Sequence, residues 1–107
     1  MAVAFDPDEL AVPWRRFLSE SERDGWEAQL RREIAPGHAL YGMGLRALGR
    51  RDDRDDVLVS VDGLGWAIVH LTWQRHAPAD PHWPNSWLIE STSELLDRLA
   101  RDEQEFS

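Results

Sequence analysis

The sequence predicts an α+β fold, an antiparallel three- to four-stranded meander with an N-terminal and a C-terminal helix packed on one face. Three observations predict it. A helical apolar repeat occupies residues 21–35, short segments with alternating apolar residues follow, and a second helical repeat closes the chain. Short turns between the strands require antiparallel neighbours. The 107 residues fit a single domain, with residues 1–13 an irregular lead-in and residues 102–107 a fraying tail.

The N-terminal helix has a recognisable start, body and end. Two capping-box patterns mark its start, Ser19 with Glu22 and Ser21 with Asp24. The predicted helix covers residues 21–35, and Pro36-Gly37 ends it. Its apolar face repeats every four residues, through Trp26, Leu30 and Ile34. Before the helix, a short helical turn is predicted from the spacing of Trp14, Phe17 and Leu18.

Segments with strand character follow at residues 40–50, 56–62, 66–74 and 86–90. The first is weakened by its glycines, and the last is a short fourth strand. Asp62-Gly63 predicts a hairpin between the second and third strands. One face of the third strand is predicted to be core and carries Ala67, Val69, Leu71 and Trp73. The less apolar face, suited to partial cover or a ligand, carries Trp66, Ile68, His70 and Thr72.

Both helices are predicted to cover the face that carries Val57, Val59 and Val61. This arrangement leaves the His70 face exposed unless the N-terminal segment folds over it. The final helix is capped by Thr92 or Ser93, and its apolar face carries Leu95, Leu96 and Leu99. Asp102 occupies the next position on that face, so the helix is expected to fray from there.

Charge is concentrated in the second half of the chain. Residues 1–51 carry eight arginines and eight acids, whereas residues 52–107 carry four arginines and twelve acids, so the whole net charge of −8 lies there. An acidic surface repels phosphate backbones, and nucleic acid is therefore not expected as a ligand. The acidic half either keeps the domain in solution or steers it onto a basic partner protein.

Composition also bears on compartment and cofactors. Without cysteine, the chain has no disulfide or thiolate chemistry. No apolar run approaches the about 18–20 residues of a membrane helix, and residues 1–10 lack the basic and apolar regions of a secretory signal. The cytoplasm is therefore the predicted compartment, although a cysteine-free domain would also survive outside the cell. No cofactor and no membrane contact are predicted.

The histidines are the first candidates for chemistry. His38, His70, His76 and His82 lack the spacing of familiar zinc sites, so no metal site is predicted. The acidic run at residues 52–56 lacks the ligand spacing and central glycine of a calcium loop and is interpreted as a solvated turn. His70 lies mid-strand beside Thr72. It is either a structural histidine or an acid-base group.

The tryptophans fall into two groups. Trp26 and Trp73 occupy periodic core positions, whereas Trp83 and Trp87 belong to a proline-rich loop. Exposed tryptophans are strong interface anchors, but the loop could instead fold back and bury them as a minor core. The residues predicted to contact a partner are Trp66, Trp83, Pro84, Trp87, Asp55 and Asp56. The two aspartates have the alternative role of capping their turn.

Several short motifs resemble those of a set of small uncharacterised bacterial proteins. The motifs are G-H-x-L-Y-G at residues 37–42, D-D-V-L at residues 55–58, V-H-L-T-W at residues 69–73 and W-P at residues 83–84. The match covers about residues 19–100 and carries over no activity. The resemblance implies one shared locality for His38, Tyr41, Asp56, His70, Thr72, Trp73 and Trp83.

The sequence favours a non-catalytic domain that binds another protein, with a basic surface as the complementary partner. An immunity-like protein that blocks a basic nuclease site is one concrete version. The alternative is a small enzyme or ligand-binding domain with a pocket around His70. Thr72, His38 and Tyr41 are the supporting candidates. A structural accessory domain is a third interpretation. The sequence contains no nucleophile-elbow motif. It indicates no particular oligomeric state.

Overall fold

A computed structural model describes residues 6–106 as two helices and one antiparallel sheet of five strands. A 3-10 turn at Pro7–Glu9 precedes the sheet. The elements are β1 (Trp14–Arg15), α1 (Glu20–Glu33), β2 (Leu45–Arg51), β3 (Asp56–Val61), β4 (Gly65–His70), β5 (Ser86–Ile89) and α2 (Thr92–Phe106). The strands lie in the order β1-β2-β3-β4-β5, so sequence neighbours are also spatial neighbours. The predicted α+β meander is confirmed, with five strands rather than three or four.

The two helices cover opposite faces of the sheet, whereas the sequence predicted both on one face. The core on the α1 side includes Trp26, Leu30, Val57, Val59, Ala67 and Val69. The core on the α2 side includes Trp14, Leu58, Trp66, Ile68, Ile89 and Leu95. The physical reason is that β3 and β4 are apolar at consecutive positions, so both of their faces require cover. The face predicted to be partly open is therefore largely buried.

The predicted helical turn around Trp14 is instead the edge strand β1. Trp14 pairs with Arg51 of β2, and its side chain is buried in the α2-side core. The Pro13 carbonyl oxygen also accepts a hydrogen bond from the Asp52 backbone N–H at 2.9 Å. Pairing with β2 and burial of one large ring therefore override the local helical spacing.

The start of α1 follows the first of the two predicted capping patterns. Ser19 is the N-cap, and its Oγ accepts a hydrogen bond from the Glu22 backbone N–H at 3.1 Å. The Glu22 carboxylate accepts two hydrogen bonds from the Arg15 guanidinium, at 3.0 and 2.9 Å, and one from the Leu18 backbone N–H. The Arg15 hydrogen bonds hold the pKa of Glu22 down to about 2.

We expect the Glu22→Gln variant to be less stable than the wild type near pH 7, by about 1 kcal/mol for a partly solvated ion pair. The folded-state pKa lies below its ordinary value of 4.5, so Glu22 stabilises the fold above pH 4.5 and this contribution disappears towards pH 2. Urea unfolding of both proteins across that interval measures the difference. The matched control is Glu20→Gln, because Glu20 is 89% exposed. A difference between Glu22→Gln and wild type that does not change with pH would contradict this assignment.

Helix α2 continues to Phe106, whereas the sequence predicted fraying from Asp102. Its first turn is capped by Ser91, whose Oγ accepts a hydrogen bond from the Glu94 backbone N–H. Asp102 is buried, and its Oδ2 accepts a hydrogen bond from the Trp14 indole Nε1 at 2.8 Å. Two guanidinium groups, those of Arg98 and Arg51, lie 3.3 and 3.6 Å from its Oδ1. Polar partners on β1 and β2 thus replace the apolar residue that the helical pattern required. No helix within residues 6–106 is long and apolar enough to cross a membrane.

Candidate functional site

The side chain of His38 holds the segment that carries the exposed tryptophans. His38 is buried after the turn that ends α1, and its Nδ1 accepts a hydrogen bond from the Leu40 backbone N–H at 3.0 Å. The ring proton therefore lies on Nε2, which donates to the Pro84 carbonyl oxygen at 2.9 Å. A single side chain in this way connects residues 38–40 to a segment 46 positions later in the chain.

Two further contacts fix the same segment. The His70 backbone N–H donates to the Asn85 carbonyl oxygen at 2.9 Å, directly after the carbonyl that His38 binds. Gly37 has a φ of +99°, and a Cβ at this position would lie 2.9 Å from the Cβ of Pro81. Glycine is required there both by the backbone conformation and by the close approach of Pro81. The consecutive carbonyl oxygens of Pro84 and Asn85 are therefore hydrogen-bonded to the body of the domain, and Pro81 lies close to Gly37.

Trp83 and Trp87 lie on either side of Pro84 and Asn85 and are exposed, at 44% and 43% of their surface. Pro84 between them is buried. Of the two alternatives that the sequence left open, the structure thus shows the exposed one. The guanidinium of Arg98 lies 5.7 Å from the Trp87 ring centroid, in cation-π geometry. We call Trp83 and Trp87 the tryptophan surface.

The remaining predicted contact residues separate by burial. Trp66 is buried in the α2-side core, so it offers no surface area to a partner. Pro84 uses its carbonyl oxygen to bind His38 within the fold. Asp56 is buried, and its Oδ1 accepts a hydrogen bond from His70 Nδ1 at 2.6 Å. Asp55 is exposed. Its carbonyl oxygen accepts a hydrogen bond from the Leu71 backbone N–H.

The Asp56–His70 pair is the arrangement nearest to an acid-base group. The buried carboxylate fixes the ring and places the proton on Nδ1, and the His70 side chain is 42% exposed. Its Nε2 has no hydrogen-bond partner among residues 6–106 and can accept a proton or a hydrogen bond. Two grooves on the protein surface have volumes of about 510 and 410 Å³, and neither is lined by His70 or Asp56. His70 is therefore an oriented surface histidine.

Thr72 and Trp73 are positioned by a residue that the sequence analysis missed, Glu33. Its fully buried carboxylate accepts hydrogen bonds from the Gln29 side chain and from the backbone N–H groups of Thr72 and Trp73. The Thr72 hydroxyl donates a fourth. Glu33 lies seven positions after Trp26, on the apolar face of α1, and an acid at such a position was the available signal.

Trp73 was predicted to be core on a strand reaching Gln74, but β4 ends at His70 and Trp73 is 44% exposed. The chain leaves the sheet here because Glu33 binds two consecutive backbone N–H groups, and Trp73 adopts a φ of 58°. The Trp73 ring packs edge-on against Trp26, with 4.9 Å between the ring centroids. Trp73 therefore covers one end of the α1-side core while part of its ring faces solvent.

The other histidines do not form a cluster. His76 is exposed, and His82 is an exposed partner of Asp80, with 2.9 Å between His82 Nδ1 and Asp80 Oδ1. The backbone N–H of His82 also binds this carboxylate and lowers the pKa of Asp80 below its ordinary value. Within residues 6–106, no group of three or more histidine, aspartate or glutamate side chains is arranged to hold a metal ion.

The motif residues thus form two connected groups. His38, His70 and the segment before β5 are joined through the Pro84 and Asn85 carbonyls, while Thr72 and Trp73 are joined through Glu33. Tyr41 is 54% exposed, and no hydrogen bond or ring contact links its side chain to either group within the described residues. Comparisons with protein-family models, curated proteins and solved structures gave no match.

Proposed function

We propose that this protein is a non-catalytic module that binds another protein through the tryptophan surface. The observation that carries the proposal is the exposure of Trp83 and Trp87 on a backbone held by His38 and His70. Tryptophan is the residue type most enriched at positions that dominate binding energy. A single exposed apolar residue is ordinary on a protein surface and needs no explanation. Two exposed tryptophans beside one fixed segment are unusual.

The fixed backbone matters because binding normally costs conformational entropy. Ordering a loop and its side chains at an interface opposes association, and a segment already held in the free protein loses less. The Pro84 and Asn85 carbonyls are both bonded within the fold, and Pro84 is buried. The two indole rings thus offer large apolar area from a segment that is already in place.

Charge favours a basic partner. The acids of residues 52–107 exceed the arginines by eight, and exposed carboxylates near β5 include Glu90, Glu94 and Asp97. Association with a basic surface should be accelerated by this field and slowed as salt rises. An immunity-like protein that covers the basic site of a nuclease is one version of this proposal. The cytoplasm is the compartment we propose for it, since a chain without cysteine needs no oxidising environment.

We expect a Trp83→Ala/Trp87→Ala double variant to bind its partner at least about 30-fold more weakly than the wild type, with little loss of fold stability. The partner is first captured from a lysate of the source organism, and its affinity for each variant is then measured by calorimetry. Leu18→Ala is the matched control, since Leu18 is 75% exposed and lies before α1. Unchanged affinity of the double variant, with a folded circular dichroism spectrum, would refute the proposal.

The second candidate is a small enzyme or ligand-binding domain that uses His70. The observation in its favour is the buried Asp56 carboxylate that orients a half-exposed imidazole with a free Nε2. The same affinity measurement separates the two candidates when His70→Gln is added. Loss of binding in His70→Gln, with full binding in the tryptophan double variant, would move the function to the Asp56–His70 pair.

A further inference from the structure

We propose that the partner supplies an extended strand that pairs with the free edge of β5 and places a basic side chain in the groove beside α2. The inference rests on the proposed function, because it specifies how the bound protein is recognised. Strand addition to an exposed edge obtains affinity from backbone hydrogen bonds and specificity from alternate side chains. Three properties of β5 support it: its backbone register, its uncovered edge and the chemistry of its neighbouring groove.

The register shows which backbone groups of β5 face outward. The His70 N–H binds the Asn85 carbonyl oxygen, so the His70–Asn85 pair is a hydrogen-bonded one, and such pairs alternate along an antiparallel ladder. Ile68–Trp87 and Trp66–Ile89 are therefore also hydrogen-bonded pairs. The intervening residues, Ser86 and Leu88, direct their N–H and C=O groups away from β4. These groups are spaced as a further strand requires.

The outer edge of β5 is open. β5 is the last strand of the sheet within residues 6–106, and its Trp87 and Leu88 side chains are 43% and 42% exposed. Edge strands are usually protected by charged residues, proline or a bulge. The sequence Ser-Trp-Leu-Ile contains none of these, whereas the opposite edge strand, β1, has only two residues, one of them the buried Trp14.

The groove beside this edge selects the chemistry of the added strand. It has a volume of about 410 Å³ and lies between Trp87–Ile89 and residues 94–101 of α2. Arg98 is already engaged by Asp102 and Trp87, whereas Glu94 and Asp97 have no ion pair among residues 6–106. Arg101 also has no ion pair among residues 6–106. It is the one groove-lining arginine in this range whose charge is not already paired.

A lysine or arginine on the added strand would therefore meet the free carboxylates of Glu94 and Asp97. A second copy of this chain is a poorer occupant, because each copy carries a net charge of −8 and would present the same carboxylates. The proposed occupant of the β5 edge is thus an extended segment of a different protein. It has alternating apolar residues and a basic side chain on the α2 side.

The test uses displayed random linear peptides of about 12 residues, selected on the intact protein and then synthesised. We expect selected peptides with a basic residue among alternating apolar ones, and binding to Leu88→Pro at least about tenfold weaker than to wild type. Proline at this position removes an N–H that faces outward and leaves the β4 ladder intact. Leu88→Ala, which keeps the N–H but shortens the side chain, is the matched control and should retain most binding.

A second readout is the amide hydrogen exchange of Leu88, which should slow when a selected peptide is bound. Equal binding of the peptides to wild type and Leu88→Pro, or failure to select any peptide, would overturn strand addition. Concentration-dependent dimerisation lost in Leu88→Pro, without peptide binding, would overturn it in favour of a second copy. Each of these results refutes strand addition alone. Binding through the tryptophan surface is refuted by a different result, full affinity of the tryptophan double variant for the captured protein.

Discussion

Replacing Glu33 by alanine is expected to reduce the free energy of unfolding by about 3–4 kcal/mol, a large part of the total stability of a domain of this size. Glu33 is fully buried, and its carboxylate accepts four hydrogen bonds. Two of the donors are the consecutive N–H groups of Thr72 and Trp73, where the chain leaves β4. Without the carboxylate, these donors are left in a site with little water, and each unpaired buried donor costs free energy.

The measurement is urea unfolding followed by tryptophan fluorescence, because Trp73 packs on Trp26 and should report the change. Glu33→Gln keeps the size of the side chain but turns an amide N–H towards some of the same donors, so we expect an intermediate loss. The control is Glu20→Ala, on the same helix and exposed, with an expected change below about 0.5 kcal/mol. A Glu33→Ala loss below about 1 kcal/mol would contradict the role assigned to this carboxylate.

The Asp102→Ala variant is expected to lose about 3 kcal/mol, for a related reason. Asp102 is the buried partner of the Trp14 indole N–H and lies beside the guanidinium groups of Arg51 and Arg98. Arg51 is itself buried, and its pKa is raised chiefly by its hydrogen bonds to Asp53 and also by the nearby Asp102 charge. Removing the carboxylate weakens the connection of α2 to β1 and β2.

Asp102→Asn separates the two contributions, because the amide keeps an acceptor for Trp14 but removes the negative charge. We expect it to lie between wild type and Asp102→Ala in thermal unfolding. Glu103→Ala, at the exposed neighbouring position, is the control. If Asp102→Ala and Glu103→Ala shift the melting temperature equally, the buried network contributes nothing specific.

The local elements could be predicted from the sequence because their signals are local. The Ser19 cap and the Trp26–Leu30 repeat define α1, and the turn at Asp62-Gly63 sets the β3–β4 hairpin, where Gly63 has a φ of 76°. These features depend on backbone conformation and periodicity within a few residues. They predicted the α+β meander, with the boundaries of most elements displaced by a few residues.

The global arrangement depended on contacts that no short window contains. The placement of the helices on opposite faces is an exception, because its signal, the apolar Leu58 and Ile68 on the second face of the sheet, lies within the strands themselves. β1 exists because Trp14 pairs with β2 and reaches Asp102, 88 positions away. Sequence spacing gave these residues helical or fraying roles, since the partners that decide them are distant.

The candidate site was predictable in its residue types and not in its geometry. Trp83 and Trp87 stood out by type and by their proline-rich setting, but burial removed Trp66 from the same set. The role of His38 in holding this segment could be assigned only from the structure, where its ring reaches the Pro84 carbonyl oxygen. Likewise, the position of Glu33 on the apolar face of α1 is visible in the sequence, but its partners Thr72 and Trp73 are not.

Site-specific photo-crosslinking distinguishes a partner bound at the tryptophan surface from one bound elsewhere on the domain. A photoreactive benzoylphenylalanine replaces Trp83, Trp87 or, as a control, the exposed Leu18, and each protein is irradiated with the captured partner. We expect efficient crosslinks from positions 83 and 87 and background levels from position 18. Crosslinks from position 18 with none from positions 83 and 87 would place the partner elsewhere and contradict binding through the tryptophan surface.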